Sequence, residues 1–356
     1  MTPFLDVPFL PEEAYVEFLN RCGGSVDSVY FSLPNEQRLD NRSHACTGET
    51  LAHQIKLLKR LAAGHKRYLL LNSRFYGPAL LTDQGQLRAL IKDVDQCVQQ
   101  GVVNGLVYSD HFLLQALSNT APDLAAALEA VPSLNTMLDS QGKIEAHLAY
   151  IGETRFRQPG RLILDRALNR NLPKLAEISA WCRQALPDVR LEVVGNEGCL
   201  PWCPYRSSHD AYIALDNCSS KKTSEAINET LGCRQLLKKQ PYRILQSPFI
   251  RPEDIDSYLY DIDIIKISGR NLTSAALMQV ITAYIERHWN GNLLELLDSS
   301  HWLAEELHVD NSALSFDFAN MLSVCNNRCE TCRFCMELFQ SISHTLPPAA
   351  GAAKNK

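Results

Sequence analysis

Short apolar runs separated by longer stretches of helical spacing recur along the chain. Residues 28–32, 68–71, 103–108, 130–138, 162–164, 189–194, 243–246 and 262–267 read as strands. Between them, residues 9–21, 51–63, 83–99, 112–118, 172–186 and 224–239 carry apolar positions at helical spacing, and a short helix is expected after Pro252. In the second of these, Leu51, Ile55, Leu58 and Leu61 fall on one stripe, with Thr47 or Thr50 placed to cap it. Pro11 suits a first helical turn, and Glu12 and Glu13 complement the helix dipole. Beyond the last strand, residues 273–289 have the pattern of an amphipathic helix, followed by a polar, irregular region to about Phe318.

Eight short apolar strands alternating with helices indicate a parallel α/β fold, and eight is the number that closes a (β/α)8 TIM-type barrel. An open doubly wound sheet would want a glycine-rich phosphate turn after the first strand, where Leu33, Pro34 and Asn35 stand instead. The expected organisation is a barrel over residues 1–290, a C-terminal extension with a cysteine cluster over 291–342, and a disordered tail over 343–356. Barrels gather functional groups at the C-terminal ends of strands. Asn72, Asp110, Arg166, residues 196–203, and Lys266 to Arg270 fall there.

The most distinctive of these strand ends is VRLEVVGNEGCLPWCPYRSSH, residues 189–209. An apolar strand empties into a polar loop that carries Cys199 and Cys203, stiffened by Pro201 and Pro204, with Arg206 and His209 behind. The loop reads as a metal or iron–sulfur site, the alternative being two cysteines packed as small hydrophobes. A second group, CNNRCETCRFC, holds Cys325, Cys329, Cys332 and Cys335 with three, two and two intervening residues. That density points to a ligand set able to wrap one metal centre. Its first three cysteines match the CxxxCxxC triad of radical S-adenosylmethionine enzymes, but that triad follows the first strand of a barrel, so the match is read as coincidental. The segment is read as a second cluster or a zinc knuckle, or as part of one shared site if it folds back over the barrel mouth.

Composition narrows the setting. A hydrophobic content of 46% supports a sizeable core, and no apolar run approaches the length of a membrane span. The N-terminus carries Asp6, Glu12, Glu13 and prolines where a signal peptide needs a basic start and an apolar middle, so the expected location is cytoplasmic. In that compartment twelve cysteines point to metal ligation or redox chemistry before disulfides. A net charge of -5 gives no overall footprint for nucleic acid and leaves a local basic patch open.

Three stretches resemble a known family: NEGCLPWCPYRSSH, the last strand IDIIKISGR with the helix SAALMQVITAYIERHW behind it, and VYSD ending at Asp110. Together they are similar to the collagenase-like peptidases, U-thirty-two in the peptidase classification, across about residues 1–290. The resemblance implies a barrel whose mouth holds a cluster, because several relatives bind a four-iron four-sulfur cluster and act in oxygen-independent hydroxylation of ubiquinone precursors or RNA bases. Carried over, Cys199 and Cys203 are cluster ligands, and Cys218 and Cys233 are the candidates for the third and fourth. The family's KIEGR stands here as Lys266, Ile267, Ser268, Gly269 and Arg270, with serine replacing glutamate.

Four thiolates suit soft iron, in one or two 4Fe-4S clusters, and a structural zinc uses the same ligands. Asp110 and Arg166 are candidates for positioning a polar substrate, with Lys266 and Arg270 as cations near the mouth. Glu197 and His209 are candidates for proton transfer. His44, His111 and His301 are isolated histidines and receive no role. The favoured expectation is an oxygen-independent hydroxylase or related modifying enzyme acting on a small aromatic or nucleobase-type substrate. The alternatives are a metal-dependent peptidase, for which no HExxH or GxSxG stands in the chain, and a non-enzymatic cluster-bearing partner subunit.

Overall fold

The computed structural model describes residues 3–34, 39–41, 49–219, 222–326 and 328–347. Eight parallel strands form the centre: β1 (Phe4–Pro8), β2 (Val26–Phe31), β3 (Lys66–Leu71), β4 (Gly105–Tyr108), β5 (Glu129–Pro132), β6 (Arg161–Ile163), β7 (Arg190–Val194) and β8 (Ile264–Lys266). They run in the order β5-β4-β3-β2-β1-β8-β7-β6, with Val7 opposite Val29 and Leu5 opposite Ile265 across β1. Between β5 and β6 the circle is nearly closed by isolated bridges, Leu138 to Leu164 and Glu129 to Arg157. The expected (β/α)8 barrel is the fold.

Two strand assignments change. β1 escapes an apolar reading because Asp6 sits in its middle and prolines flank it, yet Asp6 is buried and ion-paired inside the barrel. Residues 243–246, expected as a strand, lie in a 3-10 helix, Pro241–Gln246. Pro241 fixes the first turn, and Ile244 and Leu245 are buried side by side instead of alternating. The two changes cancel in number, so the thiol-bearing strand is the seventh, not the sixth.

Helix spacing is legible almost throughout. The helices Gln84–Gln99, His111–Thr120, Leu172–Ala185 and Ser274–Glu286 stand where the pattern places them. Thr50 caps Leu51–Leu58 by accepting from the His53 N–H at 3.2 Å, while Thr47 and His44 lie outside the described residues. The stretch 224–239 is two helices, Thr223–Leu231 and Cys233–Lys239, broken at Gly232. Arg206–Ser219 is a further helix that follows the thiol loop directly.

Inside the barrel an apolar layer of Tyr30, Tyr68, Leu70, Val107, Val131 and Ile163 lies against buried charges. Arg161 reaches Glu192 at 3.0 Å and Asp27 at 2.7 Å, and Lys266 pairs with Asp6. The C-terminal region docks on the outside through Phe318, which stacks on Phe249 at 5.9 Å between ring centroids. Arg251, fully buried, donates to the carbonyls of Asn311, Leu314 and Ser315 and so staples that region to the barrel. Ser343–Thr345 pairs antiparallel with Leu307–Val309, so order extends into the stretch expected to be a disordered tail; residues 348–356 lie outside the described residues.

Candidate functional site

β7 ends at Val194, and the chain turns sharply through Gly195 and Gly198. A Cβ at Gly195 would stand 2.6 Å from Ile265, and one at Gly198 would overlap the Ser300 hydroxyl, so both positions need the smallest residue. Asn196 fixes the turn by donating to the Ser268 and Leu296 carbonyls and accepting from the Ser268 N–H. Glu197 then points back into protein. It accepts from Arg166 at 2.8 Å, from the Cys199 N–H at 2.9 Å and from the Ser299 hydroxyl at 2.9 Å.

Those donors outweigh burial and hold the Glu197 carboxyl down at about 2. Burial raises its acid form, but Arg166 and the hydrogen bonds to the charged form win. Glu197 is held as an anion that fixes Arg166 and the thiol loop. Burial drives the Cys199 thiol well above its ordinary range, partly countered by Arg166. Cys203 is raised for the same first reason.

Cys233 stands close enough to raise the thiols of both Cys199 and Cys203. Cys218 does not join them: it sits in the helix Arg206–Ser219, exposed, with its thiol against Gly77. Of the two further ligands expected for the mouth set, Cys218 is therefore not with Cys199 and Cys203. The C-terminal four behave differently. Cys325, Cys329, Cys332 and Cys335 line one cavity of about 530 Å³, together with Arg170 and with Trp202 of the thiol loop. The Cys335 thiol is pushed up to about 11, by burial first and then by its three neighbours. The C-terminal segment does fold back beside the barrel mouth.

Trp202 lines this cavity and a second one, of about 370 Å³, that opens over Asp165, Arg166, Cys203, Arg206 and Lys174. Its φ of 44° is a left-handed conformation that a bulky residue adopts only when its surroundings impose it. Arg206 donates to Asp165 at 2.5 Å and to the Leu134 carbonyl at 2.8 Å, so its planar head is fixed at the rim. Asp165 and Arg206 are the mouth residues to which the sequence pattern attached no role; the signal for both was their place, a strand end and the start of a helix after a thiol loop.

The remaining candidates scatter. Arg270 is at the mouth, bound to Asp40 and Ser32. Lys266 lies deeper, in the barrel interior over the Tyr30 ring, where Asp6 and Glu192 hold it, so it is not a cation of the rim. Asp110 caps the helix His111–Thr120 by accepting from the Phe112 N–H at 2.7 Å, and burial raises its carboxyl. His209 lies within the helix Arg206–Ser219, half-buried.

Four thiols on the wall of one cavity suit a soft metal centre in their donor chemistry. Among the described residues, no group of three or more His, Cys, Asp or Glu side chains closes on a single ion; the thiols surround a space instead. Also among the described residues, no helix is long and apolar enough to cross a membrane.

No protein-family model matches the chain. The uncharacterized protease MJ1657 of Methanocaldococcus jannaschii is 36% identical over 177 residues, which are 50% of this chain and 51% of that protein. The chain thus spans about half the length of the curated relative it matches. A solved structure described as the U32 peptidase Mk0906 aligns with a TM-score of 0.48 and 14% identity, over 76% of this chain and 95% of that one. The thiol-loop and last-strand motifs thus resemble those of the collagenase-like peptidases, and half of the chain is similar to a protein described as a protease.

Proposed function

We propose that the protein is an iron–sulfur enzyme that modifies a small, polar aromatic or nucleobase-type substrate without molecular oxygen. One observation carries the reading: the four C-terminal thiols line a single cavity whose wall, Trp202, is shared with the polar cavity of the barrel mouth. Cys325, Cys329, Cys332 and Cys335 would hold the cluster, and a 4Fe-4S group supplies one-electron redox chemistry when bound. Cys199, Cys203 and Cys233 form a neighbouring thiol group with three members and no role for Cys218.

The chain's own residues do the binding. Arg166 and Arg206 present guanidinium groups fixed by Glu197 and Asp165, a preorganised arrangement for planar or anionic groups of a substrate. Their carboxylate partners offset the charge, so selectivity rests on shape and hydrogen bonding more than on net attraction. A cavity of about 370 Å³ falls in the size range of small-molecule sites.

The test is the iron and acid-labile sulfide content of protein purified without oxygen. About four irons with matching sulfide are expected. Cys329→Ala should lose them, and Cys218→Ala should keep them. Zinc in place of iron, or peptide hydrolysis that survives removal of iron, would overturn the redox reading.

A further inference from the structure

The barrel mouth leaves unused a group of side chains at the outer end of β4. Tyr108 Oη stands 3.3 Å from His111 Nε2 and 3.2 Å from His147 Nδ1, and the two imidazole nitrogens are 3.2 Å apart. Three elements supply them. Tyr108 closes β4 on its outer face, opposite Val107 of the interior layer; His111 opens the helix His111–Thr120; His147 lies in the helix Gln141–Gly152. The imidazole centroids are 5.1 Å apart, and Tyr108 meets His111 edge-on at 4.9 Å.

Hydrogen bonding alone does not account for this triangle. A neutral imidazole has one donor and one acceptor nitrogen, and a phenol has one hydrogen. If Tyr108 donates to one of these nitrogens, that nitrogen carries no hydrogen, and only the other can donate. If both nitrogens carry hydrogens, both can donate to the Tyr108 oxygen, and the edge between the two nitrogens has no hydrogen bond. Every neutral arrangement therefore leaves at least one of the three close edges without a hydrogen bond of its own.

One acceptor of lone pairs would satisfy all three atoms at once. Ligand atoms at about 2.0–2.1 Å from a tetrahedral metal ion stand about 3.3 Å from one another. The edges here have that length. We infer that Tyr108, His111 and His147 form a site for one divalent transition-metal ion of the zinc, cobalt or copper type, with a fourth position open to water or a ligand. Imidazole nitrogen with one oxygen is a donor set that these ions accept and that calcium and magnesium do not favour. Three protein ligands and an open position are the pattern of metal sites that act on a bound molecule rather than only brace a fold.

The surroundings agree. His111 and His147 are half-buried and Tyr150, exposed, rims the site at 5.6 Å from the His111 ring, so an ion reaches it from solvent. The site shares no residue with either cysteine group, so it stands or falls apart from the iron–sulfur reading.

Crystals of the full-length protein soaked in cobalt chloride, with anomalous difference maps at the cobalt edge, give the test. A peak within about 2.1 Å of all three atoms is expected. It should vanish in His147→Ala and lose most of its occupancy in Tyr108→Phe, with thermal unfolding confirming that both variants are folded. Equilibrium dialysis at micromolar cobalt should show one equivalent fewer bound by His147→Ala, and at least a tenfold weaker last equivalent in His111→Ala. Cobalt at the cysteines with none at this triangle, a peak that persists in His147→Ala, or binding at soaking concentration only would overturn the inference.

Discussion

A carboxylate that accepts from a guanidinium, a backbone N–H and a hydroxyl cannot trade protons near neutral pH. Glu197 is in that position, and its depressed titration makes it a source of stability with a definite pH window. The ordinary glutamate value applies in the unfolded chain, so the contribution is fully present above about pH 4.5 and is lost as pH falls through about 2. Glu197→Gln should therefore be less stable than the wild type by a few kcal/mol above that window, with the gap closing between about pH 4.5 and 2. Urea unfolding midpoints measured across this range check it; a gap that stays constant would mean that the charge of Glu197 is not what holds Arg166. Sequence reasoning found this residue by its place after a strand but not the partners that hold it. Its partners, Arg166 and Ser299, are 31 and 102 residues away, and nothing local announces them.

At the scale of elements, the C-terminal helix Phe318–Ser323 shows what keeps the cysteine segment beside the mouth. Phe318 is fully buried against Phe249, with Arg170 and Arg251 over its ring at 5.7 and 5.4 Å. Removing the ring leaves a cavity between two guanidinium groups, so Phe318→Ala should cost about 3–5 kcal/mol of stability. It should also speed tryptic cleavage after Arg328 and Arg333, which follow this helix; unchanged cleavage would show that the cysteine segment docks by other contacts. The stretch leading up to about Phe318 was expected to be irregular. Its polar residues obscured an anchor made of one aromatic ring, whose burial depends on Phe249 far back in the chain. The strand β1 was hidden for a related reason: Asp6 breaks the apolar pattern, and only the interior ion pairs of the barrel make a buried aspartate tolerable there.

For the molecule as a whole, those interior ion pairs tie opposite sides of the barrel. Arg161 of β6 stands between Glu192 of β7 and Asp27 of β2, and lies 3.7 Å from Asp6 of β1. Breaking a buried network by removing one partner leaves charge without compensation. Arg161→Met should lower stability by about 3–5 kcal/mol, and adding Glu192→Gln should recover part of it. Guanidinium unfolding of the single and double variants decides this; equal losses in both would mean that Arg161 contributes by packing over Tyr68 and not by charge.

The alternation of short apolar runs and helical stretches determined the barrel, because both periodicities are local and each strand is buried on both sides. The thiol loop after Val194 and the four clustered cysteines were legible for the same reason, as residue types at short spacing. Which thiols meet was decided only by tertiary structure. Cys218 is as evenly spaced as Cys233 along the chain, but the helix Arg206–Ser219 turns it towards Gly77, while Gly232 breaks the next helix and leaves Cys233 near the mouth. The same holds for His111, which in sequence is an isolated histidine. It meets His147 and Tyr108 because two helices and a strand end share one corner of the barrel, and no spacing along the chain encodes a distance across it.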